Sequence, residues 1–354
     1  MIKTYTFKIK PNKNKEKIFE EYLNTTRYVY NLGKEVREES YKKGVKINYF
    51  DLSKQLTEAK KEFSWLKNVN SQTLQATLER LENTYKKFFK GAGYPKWAKK
   101  KNWKSIDFKS IKTTFNAFKL PSIGVVKVFK FKVPKGELKT AKIVKEADGW
   151  YLKVVVKEED SVKRENQSIC AIDMGVSYFL TTSHGEFVDN PKHLFNYLKQ
   201  LRIENRKLSR MKKGGSNFKK QVKRLALLHQ KIGRVRKDFL HKQSRKLANE
   251  YGTVIREDLN IASMVAKGKL AKQILDCSWG LFFTLLEYKT NVVKVNPAYT
   301  SQQCSKCGHT SKENRKTQSL FECVKCGHTD NADYQATLNI LQRGQTLLGA
   351  NVGQ

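Results

Sequence analysis

The sequence is short of acids. Its 354 residues carry 33 Asp and Glu against 70 Lys and Arg, a formal net charge of +37. The excess runs along the whole chain, and a field of this sign and size favours a polyanionic partner, nucleic acid first. Long apolar runs are missing too. No stretch of about 18 apolar residues occurs, which excludes a transmembrane helix and a membrane partner. The first ten residues, MIKTYTFKIK, lack the apolar core of a secretory leader, so a cytoplasmic location is expected. Cysteine is scarce: there are six, and four stand in two Cys-x2-Cys pairs. That usage excludes a disulfide framework and fits a metal in a reducing compartment. The length allows two to three domains of about 100–200 residues.

Along the chain, strand and helix patterns alternate. Residues 3–9 place Tyr5, Phe7 and Ile9 on one face of a half-buried strand. Over 15–41 the apolar positions, Ile18, Phe19, Tyr22, Leu23 and Tyr30, take helical spacing. Leu74, Leu78, Leu81, Tyr85 and Phe88 predict a second helix over 70–89, capped by Asn70 or Ser71. Trp65 and Leu66 are expected to close this small helical core. Residues 91–104, GAGYPKWAKKKNWK, hold five lysines and two tryptophans. Basic residues interleaved with aromatics, Lys96 and Trp97 among them, suit a nucleic-acid strand. They also suit a solvated linker whose tryptophans pack on a neighbour. Four β-rich runs between 115 and 157 are separated by Pro, Gly and Asp-Gly turns. With strand 3–9 they predict a small antiparallel barrel into which the helices are inserted.

A polar linker at 159–166 leads to strands from Ser168 onward. A basic helical stretch over 191–251 follows, broken at 214–217, and predicts a helical hairpin. Leu201, Leu208, Val222, Leu225, Leu228 and Ile232 form its apolar seam. Its outer faces carry Arg206, Arg210, Lys212, Lys213, Arg234, Arg236 and Lys237 with hardly an acid between them. Solvated helices normally mix signs, so phosphate contact is the favoured reading.

Cys304-x2-Cys307 and Cys323-x2-Cys326 stand fifteen residues apart, the spacing of a four-thiolate zinc site. Each pair is followed by Gly-His, the tight turn of a zinc knuckle. Cys170 and Cys277 read as ordinary buried residues.

Three acids occupy settings that need an explanation. Asp173 sits in the apolar run SICAIDMGVSYFL, Glu257 ends TVIRE, and Asp333 opens the helical run ADYQATLNIL. A carboxylate inside an apolar strand costs several kcal/mol unless something cationic compensates it. Any one of them alone reads as a turn cap; together they point to a divalent-metal site. The order of elements is that of an RNase H-like fold, strand with Asp, hairpin, helix, strand with Glu, helix, strand, helix with Asp. Acids so arranged hold two Mg2+ or Mn2+ ions that activate water and stabilise the leaving oxygen of a phosphodiester. Asp258 falls on the opposite face of its strand by alternation.

The motifs AIDMGVSYFLTT, KDFLHKQSRKLANEYGTVIREDLN, NPAYTSQQCSKCGH and ECVKCGHTDNADYQATLNIL resemble those of TnpB, a family of transposon-encoded RNA-guided DNA nucleases related to compact type V CRISPR effectors. The resemblance implies an α+β multidomain fold. A wedge-like β-barrel at 1–10 and 106–160 would carry a helical recognition domain at 11–105. An RNase H-like RuvC domain at 168–303 and 327–343 would carry an inserted zinc ribbon at 304–326 that loads target nucleic acid, and 344–354 would be a loose tail. It further implies that Asp173, Glu257 and Asp333 are the catalytic triad and hold Mg2+ or Mn2+. Cys304, Cys307, Cys323 and Cys326 would hold one structural Zn2+. The implied partners are a noncoding guide RNA and double-stranded target DNA, the implied form a monomer, nucleoid-associated through those nucleic acids. Ser71, Gln72 and Gln75 match the part that reads the short motif flanking the target; as cap and surface residues they need no such role. The motif usually written Asp-x-Asn-Ala-Ala departs here, reading Asp333-Tyr334-Gln335-Ala336-Thr337. That leaves three rivals: a guided repressor without cleavage, a transposase or its accessory protein, and an RNA-processing nuclease.

Overall fold

The computed structural model describes residues 1–159, 168–266, 268 and 270–350. It divides into two compact units, Met1–Ser161 and Val162–Gln354.

In the first unit, β1 (Ile2–Ile9) precedes α1 (Lys13–Lys42), α2 (Tyr49–Glu62) and α3 (Ser71–Phe88). Strands β2 (Ser105–Phe108), β3 (Lys112–Thr114), β4 (Ala117–Leu120), β5 (Gly124–Lys127), β6 (Glu137–Glu146) and β7 (Gly149–Lys157) follow. The side-chain oxygen of Asn70 accepts from the Gln72 N–H at 3.0 Å and so caps α3. The helix α2, which the apolar spacing does not announce, starts at a capping box between Asn48 and Asp51. Phe19, Tyr22, Leu66, Leu74, Leu78 and Leu81 are buried as expected. Trp65 is not. It is 39% exposed and lies edge-on to Tyr28, because the 3-10 turn it shares with Leu66 points neighbouring side chains apart.

The strands do not close into the expected hydrogen-bonded barrel. They form a four-stranded antiparallel sheet, β1-β7-β6-β2, and a three-stranded sheet, β3-β4-β5, joined by a single bridge between Ile9 and Val128. Strands β3 to β5 are three or four residues long, too short to span a barrel wall. They instead pack one face on the core, where Phe118 meets Phe7 at 5.0 Å between ring centroids.

The second unit begins with β8 (Ile169–Met174), β9 (Tyr178–Thr182) and β10 (Phe187–Asp189), then α4 (His193–Ser209) and α5 (Ser216–Glu250). Next come β11 (Thr253–Glu257), α6 (Ile261–Ala266), α7 (Ala271–Cys277), α8 (Trp279–Glu287) and β12 (Asn291–Val295). The last elements are β13 (Leu320–Glu322), β14 (Thr329–Asn331) and α9 (Ala332–Ala350). The main sheet has the order β10-β9-β8-β11-β12, antiparallel through β8 and parallel beyond it.

Alternation splits this sheet cleanly. Cys170, Ile172, Met174 and Val254 pack with Leu240 and Leu247 of α5 and Phe282 and Leu286 of α8. Ala171, Ile255 and Val295 pack with Ile340 of α9. A Cβ on Gly344 would lie 2.3, 2.5 and 2.7 Å from three side-chain atoms of Ile255, so the close seat of α9 on the sheet needs glycine there.

The helical hairpin forms, but its seam is narrower than expected. Leu201, Leu228 and Ile232 are buried and Leu225 packs partly against them, whereas Val222 is 42% exposed. The expected loose tail is helical as far as Ala350. Residues 351–354, and the linker from 160 on, lie outside the described residues. No helix among the described residues is long and apolar enough to cross a membrane.

Candidate active site

Strands β8 and β11 run parallel with Ile172 beside Arg256. Asp173 and Glu257, one residue further on, therefore project from the same face at the carboxyl ends of neighbouring strands. It is the face that α9 covers. That helix starts where they emerge, because the Asn331 side chain accepts from the N–H of Asp333 at 2.9 Å and of Tyr334 at 3.2 Å. Asp333 is thereby fixed in the first turn, at the positive end of the helix dipole. All three acids line one cleft of about 520 Å³, together with Thr300, Arg315 and Gln318. Asp258 is exposed and turned away, as alternation requires.

The cleft is electrostatically strained. Burial pushes the Asp173 carboxyl well above its ordinary range, Glu257 and Asp333 raise it further, and Arg315 opposes them. Burial also raises Glu257, against a hydrogen bond donated by the Thr300 hydroxyl and the charge of Arg343. Arg315 donates to Asp333 Oδ1 at 3.0 Å and to the Gln318 carbonyl at 2.9 Å. Crowded, partly buried carboxylates are hard oxygen ligands whose repulsion a divalent cation relieves, so these side chains fit such an ion.

Thr300, Arg315, Asn339 and Arg343 were not singled out by sequence reasoning. Asn339 Nδ2 donates to the carbonyls of Thr300 at 2.8 Å and Gln303 at 2.7 Å. Arg343 holds the carbonyls of Asn296 at 2.8 Å and Ala298 at 2.7 Å. Together they lock NPAYTSQQ against α9 and present Thr300 to Glu257. That motif was the available signal. Gln335 is wholly buried; its side chain accepts from Ser305 at 3.0 Å and donates to the Gln303 carbonyl at 3.2 Å. Thr337 donates to the Tyr334 carbonyl at 2.6 Å.

The four expected cysteines come together. Cys304 Sγ is 3.7 Å from Cys326 Sγ, Cys307 Sγ is 3.6 Å from Cys323 Sγ, and all four lie within 4.8 Å of one another. A tetrahedral ion with bonds of about 2.3 Å sets sulfurs about 3.8 Å apart, so the quartet fits. Gly308 and Gly327, at φ of 73° and 69°, turn the two knuckles. Buried Asn314 ties them together: it donates to the carbonyls of Gln302 at 2.8 Å and His309 at 3.1 Å and accepts from the Val324 N–H at 3.0 Å. Cys170 and Cys277 are buried elsewhere, their thiols pushed up to about 11 chiefly by that burial.

Of the basic candidates, Arg206, Arg210, Lys212, Lys213, Arg234 and Lys237 are exposed along the hairpin. Arg236 departs from the expectation. It is half-buried and paired with buried Asp276, which also accepts the Leu194 N–H at the start of α4. Its guanidinium holds the hairpin to α7. In the first unit, Ser71 and Gln72 are exposed and Gln75 half-buried, and Ser71 already accepts from Lys60 at 2.6 Å. Lys96 is exposed; Trp97 is 48% exposed with Lys34 Nζ 4.2 Å from its ring centroid. Trp103 is buried and donates to Thr26 at 2.9 Å. Both readings of 91–104 thus find a tryptophan.

Residues 153–267 match a family described as a probable transposase, and residues 279–340 match the Cas12f1-like TNB domain. A putative RNA-guided DNA endonuclease of Escherichia coli K12, InsQ, is 30% identical over 98% of this chain and 93% of its own length. The chain belongs to the TnpB family. A second TnpB-family relative, a putative RNA-guided DNA endonuclease of Streptomyces pristinaespiralis, is 30% identical over 80% of this chain and 74% of its own. Residues 1–46 match a helix-turn-helix domain, although in this TnpB-family chain they form β1 and the start-to-end run of α1. The fold is also that of the mini-RNA-guided endonuclease CRISPR-Cas_phi3, at a TM-score of 0.51 and 12% identity, covering 97% of this chain and 92% of that one.

Proposed function

We propose that this chain is an RNA-guided DNA endonuclease in which Asp173, Glu257 and Asp333 form the hydrolytic centre. The observation that carries the reading is their convergence on one cleft from two adjacent parallel strands and the helix facing them. The strand order of the main sheet supports an RNase H-like RuvC domain over 168–303 and 327–343. The three carboxylates would hold two Mg2+ or Mn2+ ions, and those ions would supply an activated water and charge neutralisation at the phosphodiester. The residues themselves do the positioning. Thr300 orients Glu257, the Asn331 cap aims Asp333, and Arg315 adds a cation facing the cleft. The cysteine quartet would hold one Zn2+, a ribbon over 304–326 from which Arg315 reaches Asp333.

In this reading a noncoding RNA pairs with one strand of double-stranded DNA, so base pairing supplies the sequence while the protein reads a short flanking motif. The exposed cations of the hairpin, Arg206 to Lys237 without Arg236, would carry RNA or DNA phosphates. The first unit would comprise the wedge-like part, 1–10 and 106–160, and the helical recognition part, 11–105. The chain would act as a monomer on the nucleoid. The cleavage-deficient alternative leaned on the Gln335–Thr337 departure. Both side chains have partners of their own, and Asp333 keeps its place in the cleft.

The test is plasmid cleavage by the purified complex with its copurifying RNA and a matched target in magnesium. Wild type cuts, while Asp173→Ala, Glu257→Ala and Asp333→Ala each bind RNA and DNA but do not cut. Full cleavage by any one of these variants refutes the assignment. Cleavage that survives RNase removal of the guide favours a transposase instead.

A further inference from the structure

On the sheet face away from the acids, the turn between α8 and β12 leans on α5. Lys289, half-buried in that turn, donates to the His241 carbonyl at 3.1 Å and to the Ser244 hydroxyl oxygen at 2.5 Å. Ser244 donates its own proton to the Leu240 carbonyl at 2.7 Å, so towards Lys289 it can only accept. Both acceptors are neutral, and among the described residues no carboxylate lies within ion-pair distance of Lys289. Lys34, buried more deeply in the first unit, has Glu38 instead. Two acceptors match the two N–H groups of a neutral amine. The third position, a proton on the ammonium and a lone pair on the amine, is left to a cavity of about 580 Å³ that Lys289 lines. Burial, and after it the charge of Arg245, lowers Lys289 to about 8.

The rest of this cavity is mostly cationic. Helix α5 supplies His241, Lys242, Arg245 and Lys246, with Glu250 at its end, and the turn adds Tyr288. Lys242 pairs with Asp238 and Lys246 with Glu186, so carboxylates hold both as ammonium ions. A deprotonable amine beside an exposed guanidinium suits a small electrophile that carries an anionic leaving group.

We propose that Lys289 is a modification site, acylated by small acyl phosphates whose phosphoryl group is held by Arg245. The neutral amine attacks the acyl carbon, and the new C–N bond replaces the bond from that carbon to the phosphate oxygen. Phosphate leaves with the electron pair, and the proton released from nitrogen goes to it. The resulting amide has one N–H for two acceptors, so acylation unties the α8–β12 turn from α5. This chemistry is independent of the nuclease activity proposed above.

Acetyl phosphate added to the purified full chain tests it, with acetyl occupancy of each lysine followed by peptide mass spectrometry. At pH 7 an amine lowered to about 8 is roughly one-tenth unprotonated, against roughly 1 in 3,000 at the ordinary lysine value. Nucleophilicity falls with basicity, so the net advantage is on the order of tenfold over Lys242 and Lys246, which share the cavity and its local donor concentration. The Lys289 rate levels off above about pH 9, while the other two go on rising. Inorganic phosphate and Arg245→Gln both slow Lys289 with acetyl phosphate; with an uncharged acetyl ester, inorganic phosphate has no effect. Treated wild type melts below treated Lys289→Arg, which undergoes the same acylation elsewhere. Lys289 reacting no faster than Lys242 and Lys246 overturns the proposal. So does a fast Lys289 that neither inorganic phosphate nor Arg245→Gln slows, since the donor is then not held. Equal melting of the two treated proteins at full occupancy refutes the untying of the turn.

Discussion

Replacing Gly344 with alanine is a sharp test of how α9 serves the cleft. The added Cβ would meet three atoms of Ile255 at 2.3, 2.5 and 2.7 Å, all on a β-branched side chain rooted in β11. Carbon atoms rest at about 3.5–4.0 Å, so clearing the nearest contact moves the helix or the strand by roughly 1.2 Å or more. Overpacking of this kind costs about 1–3 kcal/mol, and the upper end applies because both partners are anchored in regular structure. Asp333 sits about 16 Å away along the same helix, at ~1.5 Å per residue. Since a misplacement of about 1 Å at a reacting group can cost on the order of 100-fold, Gly344→Ala lowers cleavage far more than it lowers RNA binding. A melting temperature reduced by roughly 6–12 °C accompanies it, at ~2–4 °C per kcal/mol for a unit of this size. Ile255→Ala alone leaves a cavity and costs about 2–5 kcal/mol. Adding Gly344→Ala to it puts a methyl group into that space, so the double variant is no less stable than Ile255→Ala. The measurements are thermal melting of the four proteins and plasmid cleavage by the same set. Strict additivity, or a Gly344→Ala protein that melts and cuts like wild type, refutes the reasoning.

The acid cluster predicts a pH dependence in magnesium-free buffer. Folding raises the proton affinity of Asp173 and Glu257, so their contribution is fully present below the ordinary carboxylate range and is lost as pH rises through the folded-state values. Asp173→Asn removes part of that loss: it melts above wild type near roughly pH 8, and scanning fluorimetry sees the gap close towards about pH 4. Asn314→Ala deletes three hydrogen bonds that join the two knuckles. It costs about 1–3 kcal/mol and speeds release of zinc to a colorimetric chelator; unchanged release kinetics contradict the joining role. Asp276→Ala strands Arg236 and frees the start of α4, destabilising by about 3 kcal/mol, the lower end for a buried pair since the Arg236 side chain is 22% exposed. Arg236→Gln leaves the salt slope of RNA binding unchanged, unlike Arg210→Gln; equal slopes for the two would return Arg236 to the phosphate-binding set.

Some of this protein was legible because its chemistry is local. Two Cys-x2-Cys pairs with glycine turns can close on one ion whatever surrounds them, so the quartet could be read from spacing. Asp173, Glu257 and Asp333 stood out because an acid in an apolar run is anomalous wherever it occurs, and alternation alone set Asp258 aside. The long helices announced themselves by apolar periodicity, and α2, whose pattern is weaker, could have been found from Asn48 and Asp51.

What the tertiary structure decided was which groups meet across distance. Arg236 and Lys237 are equivalent in the sequence, yet one faces Asp276 and the other solvent. Trp65 and Leu66 are equally apolar, and only the turn sends one inward. Short strands between turns suggested a barrel, but closure depends on strand length and pairing partners, and β2 and β1 remain edges. Thr300, Arg315 and Arg343 carry no anomaly in sequence, since a threonine in a loop and arginines in a basic chain are unremarkable. They acquire meaning only when α9 folds onto the sheet, which needs Gly344 against Ile255. The sequence by itself therefore named the acids and the thiols. The packing of one helix on one sheet face made three distant acids a single cleft.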